Sequence, residues 1–465
     1  MAKVKTDFGF LDPDVFCERY LENQSWYEAK LGPCLWRHGG GGFAATKHTG
    51  GWSLHNNDCE QMSSRRLGDS TFAFSVPDNA LVGDKLYVGL RGGLTLHTHN
   101  STRVTYTNVS IHGSTFMSIT EFDGVGGHVY RNVRVVVRNV SNSDADTTCA
   151  NGTRLCHGIL ASNADCFHSS GVKHGPKLYD VELSSTFDDY LNIHTRTQVV
   201  GQREIGAQNR LTILDPRLKR DKGLANDAPY GTAETFQHVV PGNFLSFYEL
   251  NSLQPLATRE VSSITRISNA TSAAAMAAKM NKDMTRLSNP LVLPIDVCGT
   301  EGEQPCLPRA WDVVLGGEPL PASVQQYSLV HLVGWDASGS VVEGNYYHGG
   351  FDGIRWKSNN AVIRNNRWAV QYLEVTPLQH YLEGPLALSN VTIENNVFLC
   401  GDGYTTDACM SGGFTPKVSN GGFCRGNDGD AKFYEGACTN MTLFRNTYAQ
   451  PPHLLSGDVP SVYFV

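Results

Sequence analysis

One short phrase recurs along the chain and constrains its fold more than any other feature. A polar Asn or Asp is followed by a few residues in which apolar and polar side chains alternate, and another Asn or a Gly follows. Alternation with a period of two indicates a short β-strand, and the flanking residues indicate a tight bend. Examples are VYRNVRVVVRNV from Val129, LYDVELSSTF from Leu178, AVIRNNRWAV from Ala361 and NVTIENNVF from Asn390.

Successive phrases lie roughly 20 to 30 residues apart, an interval typical of solenoids in which each circuit holds two or three short strands. A β-sandwich is the competing all-β fold. It would need antiparallel hairpins with two-residue Asn-Gly turns, and the chain has few of these. We therefore predict a parallel β-helix, with aliphatic side chains and Phe stacked inside it and Asn side chains stacked as ladders at the bends.

The repeat stops between about Val199 and Gln325. Longer strand-like runs and the Ala-rich segment TSAAAMAAKM, which has helical character, take its place. The sequence therefore predicts three parts: a first part of the β-helix at 1–198, an inserted, mostly β, barrel-like module at 199–325, and a second part at 326–465 with a disulfide-rich end.

Charge and hydropathy exclude several classes of partner. The formal net charge is −7, charged residues make up 18% of the chain, and there is no long basic run. Nucleic acids and anionic membranes are therefore poor candidate partners. No apolar run approaches the ~20 residues of a membrane span.

The 12 cysteines indicate an oxidising compartment. Cys149 lies close to Cys156, and Cys298 lies close to Cys306. No CxxC pair is present, so we favour loop-closing disulfides over zinc ligands.

Several N-x-S/T sequons agree with a secreted or extracellular glycoprotein. The start, MAKVKTDFGFLDPD, lacks the apolar centre of a signal peptide. We therefore expect the signal, or a longer N-terminal piece, to lie outside this sequence.

Two acidic phrases, ADCFH and FDDYLNIH, contain Asp165 and the pair Asp188 and Asp189. Asp165 and Asp188 are 23 positions apart in the sequence (188 − 165), which is about one circuit. Neighbouring strands lie ~4.8 Å apart, so this spacing predicts that the acids stack. Repulsion between them should leave one protonated, and a glycosidase needs such an acid beside a carboxylate.

A single Asp in such a chain is more often a residue that ends a strand or forms a turn. The adjacent Asp188 and Asp189, one circuit after Asp165, are harder to explain in this way. His168, Asn192 and His194 lie around them in the sequence and are candidate substrate-binding residues.

The phrases NADCFHSSG and TFDDYLNIH resemble the core of glycoside hydrolase family 110. HYLEGPLALSNVTIENNVF, from His380 to Phe398, is similar to a second family phrase. Members of this family are exo-acting α-1,3-galactosidases on a right-handed β-helix, with a barrel inserted after the circuit that carries the Asp pair. The resemblance covers about Thr105 to Phe398.

The resemblance implies an inverting hydrolase that removes terminal α-1,3-linked galactose without a cofactor or metal. Asp188 would be the general acid, and Asp165 and Asp189 would position and deprotonate water. Inversion requires carboxyl groups ~6.5–9.5 Å apart, so we expect one of the three to lean away from the others. Three residues on later circuits are expected to reach the sugar: Arg355, Trp356 and Glu383.

Cys166, Phe167, Tyr190 and Thr195 depart from the family pattern, which leaves the linkage and the sugar open. Two other functions also stay open. Polygalacturonase-like enzymes use a similar Asp trio, but their Gly-His-Gly and Arg-Ile-Lys phrases do not occur here. A secreted, non-catalytic carbohydrate-binding protein would have no need of the three acids.

Overall fold

The computed structural model describes most of the central part of the chain. Its described residues are 94–114, 117–137, 161–162, 164–186, 188–203, 209–215, 235–250, 254–267, 309–348, 353–369, 373–375, 383–398 and 438–448, with the backbone of short strands at 2–5, 35–36, 51–55, 64–68, 71–74, 85–89, 139–141, 155–157 and 462–464. Within these residues the regular structure is β-structure, apart from one 3-10 turn at Thr235–His238.

The strands before residue 195 are short. The first six are β1 (Ala2–Lys5), β2 (Leu35–Trp36), β3 (Gly51–His55), β4 (Ser64–Gly68), β5 (Thr71–Phe74) and β6 (Lys85–Gly89). The next six are β7 (Leu96–His99), β8 (Thr105–Thr107), β9 (Ser110–Ile111), β10 (Ile119–Phe122), β11 (Val129–Arg131) and β12 (Arg134–Val135). Then follow β13 (Asn139–Ser141), β14 (Leu155–His157), β15 (Phe167–Ser170), β16 (Lys177–Tyr179), β17 (Glu182–Ser184) and β18 (Leu191–His194).

Six longer strands close into a barrel with antiparallel pairing, in the order β19-β20-β23-β22-β21-β24. They are β19 (Gln198–Arg203), β20 (Arg210–Asp215), β21 (Phe244–Tyr248), β22 (Pro255–Arg266), β23 (Arg309–Leu315) and β24 (Leu329–Leu332). The barrel has its own apolar core, which includes Phe247, Val313 and Leu332.

Short strands return after the barrel. They are β25 (Val341–Glu343), β26 (Tyr346–His348), β27 (Ile354–Trp356), β28 (Ala361–Arg364), β29 (Arg367–Trp368), β30 (Leu373–Val375), β31 (Leu388–Glu394), β32 (Val397–Phe398), β33 (Cys438–Phe444), β34 (Thr447–Tyr448) and β35 (Val462–Phe464).

Apart from the antiparallel pair β13-β14, the short strands from β7 onwards form three parallel sheets that the chain visits in turn. The first sheet has the order β7-β10-β15-β18-β27-β30, the second β8-β11-β16-β25-β28-β31-β33-β35, and the third β9-β12-β17-β26-β29-β32-β34. The barrel is inserted where the chain leaves β18 of the first sheet and before it enters β25 of the second. The prediction of an all-β chain with parallel sheets is therefore confirmed.

The second core lies among the three parallel sheets, where Phe167, Leu183, Ile354 and Trp368 pack together with the other inward-facing side chains. Each sheet contributes alternate residues to it, because successive side chains of a strand point to opposite faces. The apolar residues that alternate in the recurring phrase are these core residues.

Asparagine ladders occur at the bends, as the sequence predicted. Asn366 Nδ2 donates to Asn396 Oδ1 at 2.9 Å, and Asn396 Nδ2 donates to Asn446 Oδ1 at 3.0 Å. An exposed ladder joins Asn390 to Asn360 at 2.8 Å. Asn390 has a φ of 55°, a left-handed conformation that Asn adopts more readily than most residues.

The barrel falls in the stretch where the sequence predicts an inserted module, but it extends beyond Gln325. Its last strand, β24, ends at Leu332, and the parallel strands begin again at Val341. The Ala-rich segment that looks helical in the sequence lies outside the described residues.

Candidate active site

The candidate site lies on the outward face of the first parallel sheet. Thr120, His168, Asn192 and Arg355 occupy equivalent positions on β10, β15, β18 and β27. The inward positions that immediately precede this row are apolar and belong to the core, namely Ile119, Phe167, Leu191 and Ile354. Polar residues are ordinary on the outward face of a sheet, but Thr120, His168 and Asn192 are also buried, which is unusual for that face.

Asp165 and Asp189 precede this row and lie one above the other. Phe167 pairs with Leu191, and the Cys166 backbone N–H donates to the Asp189 carbonyl at 3.0 Å. This register places Asp189, and not Asp188, over Asp165, so the spacing is 24 residues (189 − 165) instead of the predicted 23. Asp188 precedes the stacked position by one residue, yet one side-chain oxygen from each of the three acids lies within 4.8 Å of the others.

Two of the three carboxylates contact a side chain that is positively charged or that can carry a proton. The Arg355 Nε lies 3.0 Å from Asp189 Oδ1, and the His168 Nδ1 lies 2.6 Å from Asp165 Oδ2. Asp188 Oδ1 accepts a hydrogen bond from the Asp189 backbone N–H at 3.2 Å. Asp165 and Asp189 are buried, whereas Asp188 is half-buried and is the acid best placed to meet a ligand from solvent.

The expectation that one acid leans away from the others stays a prediction. Inverting glycosidases place their carboxyl groups ~6.5–9.5 Å apart, and retaining enzymes ~5–5.5 Å apart. One oxygen of each acid lies within 4.8 Å of the others, which is a distance between single atoms and not between whole carboxyl groups. Arg355 and His168 account for this closeness, because they offset charge that would drive the carboxylates apart.

A buried polar cluster continues the site from His168. His194 Nε2 lies 3.1 Å from His168 Nε2 and 3.7 Å from Glu383 Oε1. The Lys357 ammonium lies 3.0 Å from Glu383 Oε2 and 3.5 Å from Asn192 Oδ1. The structure thus brings five of the six predicted substrate-binding residues to the same face: His168, Asn192, His194, Arg355 and Glu383.

Burial lowers the pKa of His194 well below its usual range, and the nearby cations Lys357 and Arg196 act in the same direction. The Glu383 carboxylate raises the pKa of His194, but this effect is smaller than that of burial. His194 is therefore a neutral imidazole at neutral pH.

Trp356 is the exception among the predicted sugar-contacting residues. It follows Arg355 on β27, so its side chain points inward, and it is fully buried in the core among the parallel sheets. Its indole N–H donates to the Ser358 carbonyl at 3.2 Å. The prediction that Trp356 reaches the sugar is corrected by this placement, which follows from strand alternation.

Sequence reasoning missed two charged residues of the cluster, Lys357 and Arg196. Lys357 is fully buried against Glu383, and Arg196 Nε donates to Ser170 Oγ at 3.2 Å. Strand alternation could have identified Lys357, because it lies two residues after Arg355 and therefore on the same face. Arg196 gives no comparable signal, because it lies beyond the end of β18.

Three converging carboxylates also raise the question of a cation. Arg355 and His168 already supply positive charge or a proton to two of the three acids. A cation would have to compete with both of these groups, so we assign the acids to proton chemistry.

Most of the cysteines in the predicted disulfides lie outside the described residues. Cys149, Cys298 and Cys306 lie outside the described residues, and for Cys156 only the backbone is described. Cys166 is a free, buried thiol between Asp165 and the core residue Phe167. Pairing of the other cysteines stays a prediction.

Neither a protein-family model nor a curated protein matches this chain. Within the described residues, no helix has the length and apolarity needed to cross a membrane. The case for a function therefore depends on the geometry of the acid cluster and on the resemblance of its two motifs.

Proposed function

We propose that this protein is a glycoside hydrolase whose active site is formed by Asp165, Asp188 and Asp189 on a right-handed parallel β-helix. The observation that carries the proposal is the convergence of these three carboxylates within 4.8 Å, on a polar sheet face. The cyclic order of the three parallel sheets supports the β-helix, and parallel crossovers are right-handed in nearly all proteins.

The partners of each acid support a division of roles. Arg355 stabilises the charged form of Asp189 electrostatically, so Asp189 is suited to orient and deprotonate water. Asp165 lies beside it and helps to orient this water. Asp188 is half-buried and lies against two other acids, which favours its protonated form and the role of general acid.

The substrate class follows from the motif resemblance. NADCFHSSG and TFDDYLNIH are similar to the corresponding phrases of α-1,3-galactosidases, so we infer a glycan with a terminal α-1,3-linked galactose. The Asn192 amide and Arg355 supply hydrogen-bond donors for sugar hydroxyls on the same face.

The stereochemistry of the reaction has two candidates. The resemblance implies inversion, in which water attacks while Asp188 protonates the leaving oxygen. The second candidate is retention, in which one carboxylate attacks carbon and the glycosyl-enzyme is then hydrolysed. NMR of the first-formed sugar anomer separates these two outcomes.

The test is a screen of the purified protein against nitrophenyl glycosides, α-1,3-linked digalactoside and polygalacturonate. We expect release of galactose from the α-linked substrates, and we expect Asp188→Asn to reduce this rate by several orders of magnitude. Asp180→Asn is the matched control. It makes the same chemical change at an exposed turn residue with a φ of 54°, which Asn adopts readily.

Each rival function gives a different result. Cleavage of polygalacturonate alone would identify the polygalacturonase-like alternative. Binding of galactosides without cleavage by the native protein would identify a carbohydrate-binding protein. Near-full activity of Asp188→Asn on every cleaved substrate would remove Asp188 from the mechanism.

A further inference from the structure

Asp165, His168 and His194 form a continuous chain of short contacts at the edge of the acid cluster. His168 Nδ1 lies 2.6 Å from Asp165 Oδ2, and His168 Nε2 lies 3.1 Å from His194 Nε2. His194 Nδ1 lies 2.9 Å from the Thr195 carbonyl oxygen. All three side chains are more than nine-tenths buried, so their polar atoms depend on these contacts.

The direction of one hydrogen bond in this chain is fixed. The Thr195 carbonyl oxygen can only accept, and it also accepts the Gly384 backbone N–H at 2.9 Å. His194 Nδ1 must therefore carry a proton and donate it.

Counting protons then gives a result that does not depend on which atom holds each of them. The Nε2–Nε2 contact needs one proton, since two lone pairs at 3.1 Å would repel. The contact with the Asp165 oxygen needs another, for the same reason. With the Nδ1 proton of His194 the chain needs three protons, whereas two neutral imidazoles and an ionised carboxylate carry only two.

We propose that Asp165, His168 and His194 form a proton-storing triad that holds one proton more than two neutral imidazoles and a carboxylate would. His168 and His194 are then positioning residues that set the charge on Asp165. Their role in catalysis rests on the proposed hydrolase function, but the proton count does not. The extra proton makes the triad neutral, which explains how Asp165 can lie so close to Asp188 and Asp189.

The surroundings of the triad place the extra proton at its Asp165 end. Phe122 on β10 packs edge-to-face against His168, with ring centroids 5.6 Å apart, and carries no charge. His194 faces cations and is held neutral by burial. The titratable and charged groups around the triad are Asp188, Asp189 and Arg355 on the acid side, and Glu383, Lys357 and Arg196 on the His194 side.

The decisive experiment counts these protons by NMR in the intact protein. Histidine labelled with ¹⁵N reports the protonation of each ring nitrogen, and aspartate labelled with ¹³C reports the Asp165 carboxyl. Signals are assigned with His168→Gln, His194→Gln and Asp165→Asn. At neutral pH we expect three protons in total on the two imidazole rings and the Asp165 carboxyl, with the third proton on His168 or on Asp165. Two neutral imidazoles beside an ionised Asp165 would overturn the triad.

A matched pair of variants tests the positioning role separately. His194→Gln keeps an oxygen that can accept from His168, whereas His194→Leu has a similar size and no acceptor. On a cleaved galactoside, we expect the pH profile of kcat/KM to shift by about one pH unit in the Leu variant and to keep its position in the Gln variant. If the two variants lose the same rate and neither pH profile of kcat/KM shifts, His194 contributes only packing. If no glycoside is cleaved, the proposed function fails while the NMR count still decides the triad.

Discussion

Asp189 lies directly over Asp165 on the neighbouring strand, yet the two carboxylates have different partners. Arg355 lies against Asp189 at 3.0 Å, and His168 lies against Asp165 at 2.6 Å. A fixed cation and a titratable imidazole do different things to a carboxylate. The first keeps it charged, and the second can exchange a proton with it. Two acids in equivalent positions of a repeat thereby acquire different electrostatic surroundings.

Removal of Arg355 should destabilise the protein strongly. Asp189 is buried, so Arg355→Leu leaves a buried charge with its nearby cation lost, which typically costs about 3–5 kcal/mol of unfolding free energy. Urea denaturation measures this loss, and the double variant with Asp189→Asn should recover part of it. The control is Arg134→Leu, which breaks an exposed pair with Glu182 and should cost less than about 1 kcal/mol. Equal losses in the two single variants would contradict the importance of the Asp189 charge.

Glu121 should make the stability of the protein depend on pH. It points into the core of the parallel sheets, and burial raises its pKa to about 7, although the Ser169 hydroxyl donates to it at 2.8 Å. A carboxyl with a raised folded pKa stabilises the folded state most below its unfolded pKa. Between the unfolded pKa of about 4.5 and the folded pKa of about 7, the folded state binds more protons than the unfolded state. This contribution to stability is therefore lost as pH rises through that range.

The shift corresponds to roughly 3 kcal/mol of unfolding free energy. In Glu121→Gln, the fall in stability between pH 5 and pH 8 should shrink by about that amount, because the neutral amide has no proton to lose. Denaturation at the two pH values checks this. Glu318→Gln changes an exposed carboxyl in the same way, and it should not alter the loss of stability between pH 5 and pH 8. If Glu121→Gln loses as much stability between pH 5 and pH 8 as the native protein does, other groups cause the pH dependence.

The buried Asn ladder should matter far more than the exposed one. Asn396 Oδ1 accepts from Asn366 at 2.9 Å, and its Nδ2 donates to the Ile363 carbonyl at 3.0 Å. Asn396→Leu keeps the volume but leaves these buried groups without their partner, and should cost about 2–4 kcal/mol. Asn390→Gly, in the exposed ladder, suits the left-handed backbone and should cost less than about 1 kcal/mol. Thermal unfolding of both variants compares them, and a larger loss at Asn390 would reverse the ranking.

Cys166 should be inert in the native protein. Burial raises the pKa of its thiol, so the reactive thiolate is scarce, and the side chain is inaccessible. We expect iodoacetamide to leave Cys166 unmodified in native protein and to alkylate it in urea, as measured by peptide mass spectrometry. Rapid native alkylation would mean that the strand carrying Asp165 opens readily.

The alternation of the recurring phrases was sufficient to predict the strands, the parallel sheets and the Asn ladders, because these depend on contacts between equivalent positions of adjacent circuits. The register was wrong by one residue. Asp188 and Asp189 are neighbours, and a repeat of about two dozen residues does not reveal which of them stacks on Asp165. That choice depends on the conformation of the bend, where Ser185 adopts a φ of 49°.

The buried half of the site could not be predicted in the same way. Glu383 reaches His194 and Lys357 from a segment that belongs to none of the three parallel sheets, and it pairs with Arg196 through an isolated antiparallel bridge. No periodicity relates these positions. Trp356 shows the opposite case, since alternation from Arg355 already assigns it to the core.

The position of the barrel also has an evolutionary consequence. Its first and last strands are paired neighbours, with Gln198 opposite Val330, so the chain enters and leaves the barrel at one place. Lys177 of β16 pairs directly with Val341 of β25, so the parallel pairing continues across the inserted barrel. A module joined in this way can be gained, lost or exchanged between relatives without altering the stacking of the circuits on either side. Changes among the barrel strands can therefore accumulate without changing the register that places Asp189 over Asp165.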